Sequence, residues 1–157
     1  MSSTTKSPRY PRVATRRMVK DILEQRQRML VLLWELSKQD LGAPDDPARE
    51  MLDEFLTLLV DYIATGHFGL YGRFSAGVER RSQIVDTARD VYPRIATTTA
   101  VAVDFLERYE GADDLTLRQQ LAHDLSRLGE HLTTRIELED QLITAMLDGE
   151  PSTDNAA

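Results

Sequence analysis

The chain has no cysteine. A disulfide framework, a thiol nucleophile and every thiolate metal site are thereby excluded, and the composition suits a reducing compartment. Long hydrophobic runs are missing too: the longest strongly apolar stretch, Met29 to Trp34, is far too short to span a bilayer. The opening MSSTTKSPRYPRVATRR contains no apolar segment of the kind a secretory signal requires. The expectation is a soluble protein that stays in the cytoplasm. Histidine is scarce, with His67, His123 and His131 alone, and the Glu-x-x-His motif of carboxylate-bridged di-iron bundles does not occur. P-loop, Gly-x-Gly-x-x-Gly, Gly-x-Ser-x-Gly and His-Glu-x-x-His motifs are also absent. Ser, His and Asp are present, but nothing in the sequence brings them together as a triad. No catalytic residue and no cofactor is assigned. A single ion held by His67, His131 and Glu139 is the metal site left open as a rival reading.

The 157 residues suffice for one domain, and a chain of this size buries roughly 70% of its unfolded surface without a staple. Hydrophobic residues make up 41% and charged residues 29%, the proportions of an ordinary soluble protein. The net charge of −7 is unevenly spread. Residues 1–17 carry five basic side chains and no acid, which leaves 14 basic and 26 acidic residues, a charge of −12, in the rest. An acidic body repels nucleic acid and attracts basic partners. The basic arm is rich in Ser, Thr and Pro and reads as a disordered tail over residues 1–15, rather than as a nucleic-acid or membrane contact.

Apolar residues at i, i+3, i+4 and i+7 mark four helical segments. The first is expected over about Thr15 to Gln39, with Met18, Ile22, Met29, Leu33 and Leu36 on one face and a polar hole at Gln25 and Arg26. It stops near Gly42 and Pro44, after which Asp46 is the expected N-cap and Pro47 the first helical residue of the second segment. That segment runs to about Thr65 with Leu52, Phe55, Leu56, Leu59 and Ile63 inward. Gly66 is expected to interrupt it, and Gly69 and Gly72 to keep the following turn irregular or weakly helical. A third helix is expected over Ser82 to Tyr109, kinked or split near Tyr92 by Pro93. The fourth, from about Asp114 to Leu147, turns Leu117, Leu121, Leu125, Leu128, Leu132, Ile136, Ile143 and Met146 inward. Gly149 and Pro151 end it, and residues 149–157 read as a disordered tail. No strand pattern competes. The sequence thus predicts an all-α, antiparallel four-helix-type bundle over residues 16–148.

Two groups of polar residues stand out against this frame. Arg135 and Glu139, four apart, share the apolar stripe of the fourth helix. Either would be costly to bury alone, so they are expected to pair with each other or with polar groups on another helix, in a structural network that fixes helix register. Asp61 lies about half a turn from the core stripe of its own helix and should face solvent. A lone exposed Asp is usually only solvated. This one precedes Gly66-His67-Phe68 by one turn, and Phe68 and Tyr71 lie where not every aromatic can be buried. Exposed aromatics beside a carboxylate also suit a protein-binding patch. The residues alone support both readings equally.

The run Phe55-Leu56-Thr57-Leu58-Leu59-Val60-Asp61-Tyr62, followed by Gly66-His67-Phe68 and Tyr71, resembles the Leu-Val-Asp-Tyr and Gly-His-Phe segment of the Rsd/AlgQ family of anti-sigma factors. Arg135-Ile136-Glu137-Leu138-Glu139-Asp140-Gln141-Leu142-Ile143 is similar to that family's Arg-Phe-x-Leu-Glu-Asp-x-Leu-Ile. The likeness covers about residues 16–148. It implies a helical bundle without a cofactor that binds region 4 of the primary sigma factor and keeps it from the RNA polymerase core. It further implies a monomer in a one-to-one complex, with no direct contact to nucleic acid or membrane. Carried over, Asp61 is a principal contact to that domain, with His67, Phe68 and Tyr71 supporting or lining the surface. An acidic body agrees, since region 4 is a helix-turn-helix module whose basic face meets promoter DNA. The chain departs from the pattern at Ile136, where the family has an aromatic, at Gly69 and Gly72, and in its basic arm. A helical adaptor for another cytoplasmic protein is the alternative within the same class.

Overall fold

The computed structural model describes residues 10–72 and 82–148. The expected arm up to Arg9, the stop at Gly149 and Pro151, and the tail to Ala157 lie outside them. Four long helices account for the described chain: α1 (Tyr10–Ser37), α2 (Asp46–Thr65), α3 (Ser82–Tyr109) and α4 (Asp114–Asp148). A π-helical turn, Gly66–Tyr71, extends α2 directly. There is no strand among the described residues. The chain is an all-α bundle.

Each helix boundary has a local cause. α1 begins at Tyr10, ahead of the expected Thr15, because Pro11 suits a first turn whose N–H groups have no intrahelical acceptor. The N-cap of α2 is Asp45 rather than Asp46. Its extended backbone lets Oδ1 accept from the Ala48 amide at 2.9 Å, with Pro47 inside the first turn. α3 is continuous through Pro93, so the expected split does not occur. Proline removes the donor to the Arg89 carbonyl, and both residues lie on the exposed side, where water can replace it. Between α3 and α4, Gly111 takes a left-handed φ of 71° and the Ala112 amide donates back to the Tyr109 carbonyl. Asp113 then accepts from the Thr116 amide at 2.8 Å as α4 starts.

Packing is closest within the pairs α1/α2 and α3/α4. Both pairs are antiparallel. Tyr109 meets Asp124 and Thr98 meets Arg135, while Met18 lies against Gly69 at the end of α1/α2 remote from its loop. The core takes Ile22, Met29 and Leu36 from α1, Phe55, Leu59 and Tyr62 from α2, Ile95, Phe105 and Tyr109 from α3, and Leu121, Leu128 and Leu142 from α4. Phe55 and Phe105 meet edge to face, with centroids 6.1 Å apart. Three expected core residues sit at the edge instead: Leu33, Ile63 and Ile136 are half-buried. On α2 the inward place beside Ile63 goes to Tyr62, and on α4 the inward places near Ile136 go to Leu138, Glu139 and Leu142.

The α geometry of α2 ends at Gly66, as expected, but the chain stays helical. Gly66 and Gly72 both have right-handed helical backbones, and close approach is what Gly66 and Gly69 provide. A Cβ on Gly69 would sit 2.9 Å from Met18 Cγ, and one on Gly66 would sit 3.3 Å from Glu139 Oε2. The turn widens to π geometry and stays helical.

Candidate partner-binding surface

The outer face of α2 carries Glu50, Asp53, Glu54, Thr57, Val60 and Asp61, all exposed. These positions repeat at helical spacing, so they form one row, and four of the six are carboxylates. The row leads into the π-turn, where His67 and Phe68 are exposed and their rings stand edge to face 4.9 Å apart. Phe68 is 77% exposed, the highest value among the large exposed apolar side chains. Asp61, His67 and Phe68 are thus all exposed along the same helical run, and Asp61 and Phe68, seven residues apart, fall near the same side. Tyr71 is not part of that exterior. It turns inward to 9% exposure, because a π-turn of six residues places its last residue back over the core side.

Beneath the surface is a buried polar cluster centred on Glu139, which is fully buried. Its Oε1 accepts from the Tyr62 hydroxyl and, at 3.2 Å, from Arg26 Nη2. Its Oε2 accepts from the Tyr71 hydroxyl at 2.9 Å and from Arg135 Nε at 3.0 Å. Arg135, 1% exposed, also donates through Nη1 to Thr99 at 2.7 Å and Thr98 at 3.3 Å. Its guanidinium lies 5.7 Å from the Tyr62 ring and 5.6 Å from the Tyr71 ring. Arg26 donates through Nη1 to Asp140 at 2.8 Å. Two guanidinium groups therefore face two carboxylates, and charge within the cluster balances. Burial pushes the pKa of Tyr62 and of Tyr71 up, and the Glu139 charge adds to the shift, so both hydroxyls remain donors at neutral pH. Gln25 Oε1 and Arg26 Nε are buried in the cluster's margin without a hydrogen-bond partner among the described residues.

Arg135 and Glu139 do meet, but as part of a larger set than the sequence suggested. Tyr62, Thr98, Thr99, Arg26 and Asp140 were missed as members. A signal for Arg26 existed: the polar hole in the α1 stripe is where its side chain enters the bundle. His67, His131 and Glu139 do not converge, since Glu139 is enclosed by its four donors while His67 is exposed. Among the described residues no three His, Asp or Glu side chains are placed to share an ion. No described helix is long and apolar enough to cross a membrane.

Fold and surface together define a helical bundle that presents an acidic row ending in an exposed aromatic. The family model described as "Regulator of RNA polymerase sigma(70) subunit, Rsd/AlgQ" matches residues 1–147, and the chain belongs to that family. It is 34% identical over 101 residues to a "Regulator of sigma D" from Shigella dysenteriae serotype 1 (strain Sd197), covering 64% of this chain and 63% of the relative. A "Regulator of sigma D" from Escherichia coli O1:K1 / APEC is 36% identical over the same length, with the same coverage. The matched stretch thus spans a little under two thirds of these relatives. No solved structure matches.

Proposed function

We propose that this protein is an anti-sigma factor that binds region 4 of the primary sigma factor one to one and withholds it from the RNA polymerase core. Membership of a family of sigma(70) regulators supports a sigma subunit as the partner. The observation that carries the finer reading is the exposed row from Glu50 to Asp61 continuing into Phe68. A helix-turn-helix module reaches promoter DNA with a basic face, and a row of carboxylates can occupy the same charges. Asp61 makes a principal charged contact, Phe68 and His67 supply the desolvated part, and Tyr71 supports them from below. The reaction is stoichiometric capture without bond chemistry.

Calorimetric titration with purified sigma region 4 tests this, for the native chain and for Asp61→Ala. Saturable one-to-one binding is expected, weakened about tenfold by the substitution, or about 1.4 kcal/mol. Raising salt should weaken it further, through the on-rate first. Native binding with no effect of Asp61→Ala would move the contact elsewhere on the molecule. Absence of native binding at low salt would refute sigma capture by this chain.

A further inference from the structure

The π-turn displays His67 and Phe68, both exposed, on its outer side. What ties it down is on its inner side. Gly66, the first residue, lies against the Glu139 carboxylate so closely that a Cβ would approach Oε2 to 3.3 Å. Tyr71, the last residue, donates its hydroxyl to the same Oε2 at 2.9 Å. Tyr62, one turn earlier on α2, donates to Oε1. The turn is therefore tied at its last residue, and α2 just before its first, to one carboxylate on α4 that also packs closely on Gly66. A second contact reinforces the far end: the Tyr92 ring of α3 packs edge to face on Tyr71 at 5.4 Å, and its hydroxyl reaches the Tyr71 carbonyl at 3.5 Å.

The geometry points to Glu139, through Tyr71, as a positioning residue for partner binding: the buried carboxylate fixes the rotational setting at which the π-turn presents Phe68 and His67. This rests on the sigma-capture reading for the identity of the partner and not for the mechanical claim. A helix turn of π geometry is less favourable than the α form the same residues could adopt. With the tether released, the turn can relax toward α geometry, and each residue of slippage rotates the display by about 100°. Phe68 would then leave the row that Asp61 defines, although the core around it stays packed. Arg26 and Arg135 serve the tether by placing opposite charge against Glu139, whose two oxygens also accept from both tyrosines.

Tyr71→Phe isolates the tether, since it removes one hydroxyl and keeps the ring packing. Two measurements decide. In titration with sigma region 4 well below the melting temperature, the variant is expected to bind about fivefold or more weakly, as for one lost buried hydrogen bond expressed at the surface. In hydrogen exchange of the free protein, lost protection is expected to be confined to the amides of Gly66 to Gly72, with α1 and α4 unchanged. Unchanged affinity in Tyr71→Phe beside native binding would overturn the positioning role. So would protection lost evenly over all helices, which marks general destabilisation. Should the native chain fail to bind region 4, the sigma reading falls, and the exchange pattern still decides whether Glu139 sets the turn.

Discussion

Glu139 has every strong acceptor site filled, by two guanidinium groups and two phenols. Such a group is expensive to desolvate and equally expensive to abandon. Glu139→Ala would leave Arg135, at 1% exposure, and the buried part of Arg26 without their shared counter-charge. Breaking a buried pair from one side costs about 3–5 kcal/mol, so denaturant unfolding should show a loss of that size. A loss under about 1 kcal/mol would mean that water reaches the cluster and compensates. At this scale the sequence was partly legible. Two charges inside the apolar stripe of α4 announced a buried polar site, but their partners come from 36 to 113 positions away. Helical periodicity reports which face a residue occupies and says nothing about what faces it across the bundle. Tyr62 illustrates the limit. It neighbours the apolar stripe of α2, and its hydroxyl needed a carboxylate that only the tertiary fold supplies.

Among the elements, α1 and the π-turn approach closely at Gly69. Met18 Cγ occupies the place a Gly69 side chain would need, at 2.9 Å. Gly69→Ala should therefore be destabilising by about 1–3 kcal/mol despite alanine's better helix propensity. Met18→Ala in the same chain should recover part of that loss by opening the space; thermal melting of the two single variants and the double variant would show the non-additivity. Purely additive losses would mean that Met18 moves aside freely. The four helices themselves were readable because their stripes are long and their stops are chemically marked, as at Gly42 to Asp45. The glycine-rich stretch after Thr65 was readable only in part, as an irregular or weakly helical turn. Its glycines suggest an interrupted helix when read for backbone freedom, whereas Gly66 and Gly69 let Glu139 and Met18 approach. One sequence offers no means of separating those two reasons. Pro93 does not split α3, since its cost depends on whether the freed carbonyl faces solvent.

At the scale of the molecule, four tyrosines among the described residues have pKa values raised by burial: Tyr62 and Tyr71 beside Glu139, Tyr109 beside Asp124, and Tyr92. A raised folded pKa means that their contribution is complete below the ordinary tyrosine value of 10.0. It declines as pH rises beyond that, because the unfolded chain releases protons that the folded chain retains. Melting temperature should thus fall steeply above about pH 10, and the double variant Tyr62→Phe with Tyr71→Phe should show a shallower fall. Equal slopes would place the alkaline sensitivity in other groups. The central cluster has a further consequence for how the bundle comes apart. Its charges are divided between the two hairpins: Arg26, Tyr62 and Tyr71 belong to one half, and Arg135, Glu139 and Asp140 to the other. If the chain were cut between α2 and α3, the first fragment would hold a cation and two phenols with no acceptor, and the second an excess negative charge. Neither fragment could close its interior alone, and each carries what the other lacks. The two pieces are built to find one another, as a lock divided between two halves of a case.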